Sequence, residues 1–294
     1  MLTSRISSRT IAMGSLDNLQ ASQARSAKLQ QQLSSGNALS KPSDNPVATN
    51  DALRYRTEIG VNEQYQRNNA DGQAWLVTQD TALQDSVQVM QRVRSLVVQA
   101  GNTGVNDAVS RRALGLEIES LKENLLSSAN TEYLGRAVFA GTKAVDAAFD
   151  AAGAYQGDGG AVTRSVAAGV EVQVNVTGAA AYGDTFAVLD QLAARLKGDT
   201  SVTKEESAFL DDVDAALKRL TDSLATVGAR TNQLTALEET SATRLDQLNE
   251  TLNSAEKIDI AKTLVEFNLQ QTAYQSALSA TARVIQPTLL DFLR

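Results

Sequence analysis

Apolar residues recur at alternating three- and four-residue spacings through the second half of the chain. They are Leu210, Val213, Leu217, Leu220, Leu224, Val227 and Leu234, with Thr231 in register, then Leu245, Leu248, Leu252 and Ala255 after a polar step. A repeat averaging 3.5 residues gathers these side chains on one narrow stripe, the geometry of a coiled-coil seam. Only Gly228 interrupts the run, and no proline lies between residues 47 and 286. Residues 210–259 therefore predict one helix, a rod roughly 75 Å long at about 1.5 Å rise per residue. A second seam begins at Leu264, Phe267, Gln271, Tyr274, Leu278 and Ile285. Stripes this narrow need partner helices.

The front half follows the same logic with one break. Residues 1–33 carry Ile6, Ile11, Leu16, Leu19, Leu29 and Leu33 among Ser, Gln and Arg, a sparse amphipathic helix. The segment 33–46 ends it, because Gly36 suits a left-handed helix stop and Pro42 and Pro46 push their predecessors out of helical geometry. A helix is predicted over about 47–100, with Leu76, Leu83, Val87, Met90 and Val97 on one face. Gly101 to Gly104 turns the chain, and a further helix over about 106–130 aligns Leu114, Ile118, Leu121 and Leu125. Trp75, beside Leu76, reads as a core anchor rather than a ligand site.

The span from about 142 to 185 is different material: seven of the eighteen glycines fall between residues 153 and 183. Val162 to Val166 leads through Gly169 to a run in which Val170, Val172, Val174 and Val176 alternate with polar residues. Period two with β-branched residues is a half-buried strand, and the intervening glycine suits a hairpin. The expected fold is mostly α: long antiparallel helical rods, a coiled-coil-like bundle formed by the N- and C-terminal halves, with a small β-rich inserted domain. It divides into an N-terminal assembly helix and turn (1–46), the N-terminal part of the rod (47–141), the β-rich insert (142–185), the C-terminal part of the rod (186–259) and a C-terminal assembly helix (260–294). The insert's contacts are expected to be mostly internal.

Composition narrows the function. Hydrophobic residues make up 43% of the chain but aromatics only 4%, so burial is expected to come mainly from Leu, Val and Ala along helices. A net charge of −7 and a pI of about 4.8 argue against nucleic acid or an anionic membrane surface as partner. No run of 18 apolar residues suggests membrane insertion, and the N-terminal residues lack the apolar core and cleavage site of a secretory signal. With no cysteine and no histidine, thiol nucleophiles, Ser-His relays and imidazole or thiolate metal sites are excluded. The one dense acidic cluster, Asp211, Asp212 and Asp214, reads as the favourable start of a helix. No catalytic, cofactor or metal residues are expected, and the chain does not read as an enzyme.

Several local patterns resemble one family. Leu33-Ser34-Ser35-Gly36 followed by Pro42-Ser-Asp44-Asn-Pro46 is similar to the N-terminal block of bacterial flagellins and their junction proteins, with Asn45 where a second acid is usual. Gly135-Arg136-Ala-Val-Phe139-Ala-Gly141-Thr142 resembles a Gly-Arg-Tyr-Ile-Phe-Ala-Gly-Thr stretch of the hook–filament junction branch of that family, Ala137 replacing the aromatic. Tyr155-Gln-Gly157-Asp158 resembles the opening of the same branch's β domain, and Pro287-Thr-Leu-Leu-Asp-Phe-Leu293 its Leu-rich terminus.

That resemblance implies a structural part of the bacterial flagellum, exported by the flagellum's own route without a cleaved signal. Its implied partners are other flagellar axial proteins (hook-associated protein 1 and flagellin), copies of itself in a ring, and an export chaperone. The implied assembly interface pairs Leu16, Leu19 and Leu33 with Leu264, Phe267, Tyr274, Leu278 and Ile285, and adds Leu289, Leu290, Phe292 and Leu293, bulky apolar groups that another chain must cover. Two other readings stand beside the junction protein: a filament subunit, and a soluble secreted coiled-coil effector or hydrolase. Against the last, Asp146, Asp150, Asp158, Glu171 and Asp184 show no ligand-like spacing.

Overall fold

The computed structural model describes residues 2–101, 107–198 and 205–285; of the turn predicted at 101–104, Gly101 is still helical, and residues 102–104 and the apolar residues after 285 lie outside the described residues. In chain order the elements are α1 (Leu2–Ser35), α2 (Pro46–Gly101), α3 (Ala108–Ala129), β1 (Glu132–Tyr133), β2 (Arg136–Ala137), β3 (Thr163–Ala167), β4 (Val170–Gln173), α4 (Gly178–Ala181), α5 (Thr185–Leu196), α6 (Glu206–Glu256) and α7 (Ile260–Ile285). The mostly helical fold with a small β region is as the apolar spacing predicts, and α6 is one helix across the predicted seam. The chain forms two compact units, Val61–Arg244 and the pair Met1–Gly60 with Leu245–Arg294.

In the unit Val61–Arg244, α2 and α6 run antiparallel. The side-chain amide of Asn62 donates to the carbonyl of Ser241 at 2.8 Å, that of Asn69 to Leu234 at 2.9 Å, and Arg94 bonds Asp214 at 2.6 Å. Seven-residue steps continue along α2 through buried Leu76, Leu83, Met90 and Val97, and along α6 through Val213, Leu220, Val227 and Leu234. The second row of α6 differs from the expected one. Phe209, Ala216 and Ser223 are buried, whereas Leu210, Leu217 and Leu224 are only partly so. The buried row thus includes the small side chains of Ala216 and Ser223, and the partly covered leucines stand one position further round the helix. The acidic cluster also stands differently: α6 begins at Glu206, so Asp214 lies beyond the first turn and serves the ion pair with Arg94.

The segment 142–185 does not build a core of its own. Its hairpin forms where predicted, β3 antiparallel to β4 with a bulge between Ser165 and Ala167; the second strand ends at Gln173 rather than running on to Val176, Val170 is exposed, and Val172, Val174 and Val176 are buried. Those valines, with Phe149, Tyr182 and Phe186, belong to the same apolar cluster as Leu76, Leu83, Ile118 and Val213. The expectation of mostly internal contacts is thus corrected. Aromatic contacts explain it, because Phe149 and Tyr182 of this segment meet Phe139 and Phe186 from outside it. Phe149 has its ring centre 5.3 Å from that of Tyr155, 5.5 Å from Tyr182 and 5.0 Å from Phe186, while Phe139 meets Tyr182 edge-on at 5.4 Å. Each such pair adds about 0.5–1.5 kcal/mol beyond its area. Trp75 is the core anchor expected, edge-on to Tyr133 at 5.8 Å with the Arg136 guanidinium over its ring.

In the other unit, α1 and α7 pack together, and the ends of α1 and α6 are tied by backbone bonds. Gly36 stops α1 with φ +69°, its N–H donating to Gln32 at 2.8 Å, the left-handed cap that only glycine adopts at little cost. Ala38 N–H then donates to the Glu256 carbonyl at 2.7 Å, and Ile258 N–H to the Gly36 carbonyl at 3.2 Å. The turn after α1 and the break between α6 and α7 therefore form one joint.

Candidate assembly surface

The Pro42–Pro46 turn is built by Asp44 and Asn45. The Asp44 carboxylate accepts the N–H groups of Ser40 at 3.2 Å and Lys41 at 3.0 Å and an ion pair from Lys28 at 2.9 Å. The Lys28 hydrogen bond, with the Lys41 amide behind it, holds the Asp44 carboxyl below the usual range. Asn45 caps α2: its side-chain oxygen accepts the Ala48 N–H at 3.1 Å, and Pro46 takes the first helical position. Asn and Asp cap about equally well and proline is preferred at that first position, so the departure at Asn45 preserves the local structure.

Beyond that turn, α1 and α7 run antiparallel, since Ile258 bonds Gly36 while the Gln270 amide reaches Ser22 Oγ at 2.8 Å. The residues of this pair that are withdrawn from solvent are mainly small or polar. Among the residues whose burial is described, on α1 they are Ser15, Leu19, Ser22, Ser26, Leu29, Gln32 and Leu33, and on α7 they are Thr263, Phe267, Gln270, Tyr274, Ala277 and Thr281. Large apolar groups remain in water: Leu16 is 54% exposed, Leu264 48%, Leu269 66%, and Met13, Ile260, Val265 and Leu278 are exposed as well. A groove of about 550 Å³ opens between the helices, floored by Leu29, Leu269 and Ala273 with Arg25, Lys28 and Glu266 around it.

The sequence-derived interface residues thus divide. Leu19, Leu33, Phe267 and Tyr274 are half-buried in the pair itself, and Leu16, Leu264 and Leu278 face solvent. Ile285 is the last residue of α7, and Leu289, Leu290, Phe292 and Leu293 lie outside the described residues. Met13, Ile260, Val265 and Leu269 were not anticipated. Val265 and Leu269 stand four apart, one helical turn, and that spacing off the main seam was the signal for a second apolar face.

The motifs at 135–142 and 155–158 lock onto one another in the unit Val61–Arg244. Thr142 donates its N–H to Asp158 Oδ1 at 2.7 Å and its hydroxyl to Oδ2 at 2.6 Å, and the Gly160 N–H adds a bond at 3.0 Å. These donors, the Thr142 hydroxyl first, bring the Asp158 pKa down to about 2. The Tyr155 hydroxyl donates toward the carbonyls of Phe139 at 3.0 Å and Asp158 at 2.6 Å. Gly141 has φ +76°, and a Cβ there would lie 2.1 Å from Asp158 Oδ1. Below the lock, buried Gln79 clamps both sides, its amide donating to the carbonyls of Val138 at 2.7 Å and Val176 at 2.8 Å while its oxygen accepts the Val176 N–H at 3.0 Å. Gln79, Asn62 and Asn69 were missed because burial was assigned to apolar residues. The seven-residue spacing of Asn62 and Asn69 with Leu76 was the available clue.

Two family models match the sequence: bacterial flagellin N-terminal helical region over residues 6–144 and bacterial flagellin C-terminal helical region over residues 210–293. The flagellin of Bacillus subtilis is 29% identical, covering 99% of this chain and 100% of its own length. Flagellar hook-associated protein 3 of Escherichia coli is 26% identical over 94% of this chain and 95% of its own. The solved structure of flagellar hook associated protein-3 from Legionella pneumophila aligns with a TM-score of 0.62 over 69% of this chain and 98% of that one, and its 17% identity speaks to a shared fold.

Proposed function

Because the chain belongs to the bacterial flagellin family, we propose that it is a structural adaptor of the flagellum, a subunit of the hook-associated protein 3 type that joins hook to filament. The carrying observation is the α1/α7 pair: its internal seam mixes small and polar residues with half-buried Leu19, Leu29, Leu33, Phe267 and Tyr274, while Leu16, Leu264, Leu269 and Leu278 stand in solvent. Exposed apolar groups gathered on two helices favour association, at roughly 25 cal/mol for each Å² removed from water. Copies of the chain cover this surface in a ring between hook-associated protein 1 and flagellin, and an export chaperone covers it beforehand. In the assembled flagellum the apolar residues Leu289, Leu290, Phe292 and Leu293 take part in the same contacts. The protein resides in the extracellular flagellum and leaves the cell without a cleaved signal peptide. The segments 1–46 and 260–294 act as assembly elements.

Deleting the gene in a motile strain tests this. The expected result is hooks without filaments and flagellin monomers released to the medium, both reversed by the intact chain. A filament subunit is the second reading, favoured by the full-length match to the Bacillus subtilis flagellin. If purified chain alone polymerises into long filaments, that second reading replaces the first.

A further inference from the structure

Outside the assembly surface, a cleft of about 450 Å³ lies between α6 and the stretch from Gln173 to Ala180. Arg219, Asp222, Ser223, Thr226 and Arg230 line its α6 side; steps of three and four residues put them on one face of the helix. Two of the three charges are already balanced. Arg219 pairs with Asp184 at 2.8 Å and Asp222 with Lys218 at 2.6 Å. Arg230 is not: its guanidinium donates through Nη1 to the Asn175 carbonyl, and among the described residues no carboxylate answers it. Burial alone pulls the Arg230 pKa below its ordinary value, with no acid contributing. On the same lining, the Nε of Arg219 is buried without a hydrogen-bond partner among the described residues, and Ser223 is 7% exposed. A partly desolvated guanidinium with four donors unspent is a costly group to leave unmatched.

We propose that this cleft is a carboxylate-binding site in which the guanidinium of Arg230 forms a forked pair with one carboxylate. Arginine's planar donor fork matches a carboxylate with two parallel bonds. Asn175 cannot serve as the counter-group. It is neutral, and its side chain is occupied with Val162 N–H at 2.8 Å and the Gly160 carbonyl at 3.0 Å. The carboxylate comes either from an acidic side chain of an adjacent protein chain or from a small free acid. The assignment stands on the cleft and does not require the flagellar reading.

The test uses the purified full-length chain with its arginine side-chain nitrogens labelled. Adding sodium acetate should move the Arg230 Nε–H resonance saturably, while sodium chloride at the same ionic strength should not. Thr226→Asp places an acid one turn before Arg230 at an exposed position, so it should weaken acetate binding at least about tenfold by occupying the fork internally, without lowering the melting temperature. A response that does not saturate, equals that of chloride, or persists unweakened in Thr226→Asp overturns the site. A photo-cross-linker at Thr226 in assembled material then identifies the source. A cross-link to an acidic residue of an adjacent chain assigns a protein carboxylate, and binding of acetate without any cross-link assigns a free acid.

Discussion

Thr142 gives both of its donors, N–H and hydroxyl, to the carboxylate of Asp158, at 2.7 and 2.6 Å. Sixteen residues apart, they close the loop that carries Phe149 and Tyr155 into the core. The bond is charge-assisted, so it responds to pH.

The folded-state pKa of Asp158, about 2, lies below its ordinary 3.8. A depressed carboxylate contributes stability that is full above the unfolded value and is lost as pH falls through the folded one. Melting temperatures of the wild type and Asp158→Asn, followed from pH 6 down to pH 1.5, should differ clearly at the top of that range. The gap should narrow below about pH 4 and close near pH 2. A gap independent of pH would assign the loop's order to packing instead.

Gln79→Leu keeps the volume roughly and deletes the clamp. Three buried backbone groups, the carbonyls of Val138 and Val176 and the N–H of Val176, then lose their partner. At about 1–3 kcal/mol for each unmet group, less some relaxation, urea denaturation should show a loss of about 3 kcal/mol or more. A loss under about 1 kcal/mol would mean the loop re-forms its bonds elsewhere.

Leu220→Asp tests the α6 seam. Leu220 is fully buried, and an unpaired charge there should cost about 3 kcal/mol or more. An unchanged melting temperature would show the stripe is not core.

These sites mark where sequence reading succeeds and where it stops. Leu76, Leu83, Val213 and Leu220 are buried at the heptad spacing seen in the sequence, because a 3.5-residue apolar repeat has few other ways to be covered. Gly36 and the Val170–Val176 alternation likewise carry local geometry in their own residues. Gln79 was illegible because a buried amide looks like a surface one until its distant partner, the Val138 carbonyl, is placed beside it, and Asn62 and Asn69 carried no clue beyond their seven-residue spacing with Leu76. The shared core of 142–185 was hidden for the same reason: ring contacts such as Phe139 with Tyr182 join residues 43 apart. On the α1/α7 pair, Leu264 was found from the seam, but Leu269 lies off it, marked only by its four-residue spacing from Val265.

Removing residues 142–185 and joining the ends with a short Gly/Ser linker should therefore destabilise the unit Val61–Arg244 as a whole. Phe149, Val174, Tyr182 and their neighbours share its core, and their loss uncovers Leu83 and Ile118. Calorimetry of the deletion should show a lowered or non-cooperative transition. A transition at the wild-type temperature would instead mean that the helices pack unaided.

The central claim is that the exposed face of α1 and α7 exists for assembly. Leu264→Asp combined with Leu269→Asp changes two side chains that are 48% and 66% exposed in the single chain. The isolated protein should keep its melting temperature to within a few degrees, since exposed substitutions usually alter stability by no more than about 0.5 kcal/mol. Expressed in the deletion strain, this variant should be exported yet leave hooks bare and flagellin in the medium, as counted by electron microscopy and immunoblot. Filaments of normal number and length on cells that swim like the wild type would contradict the account.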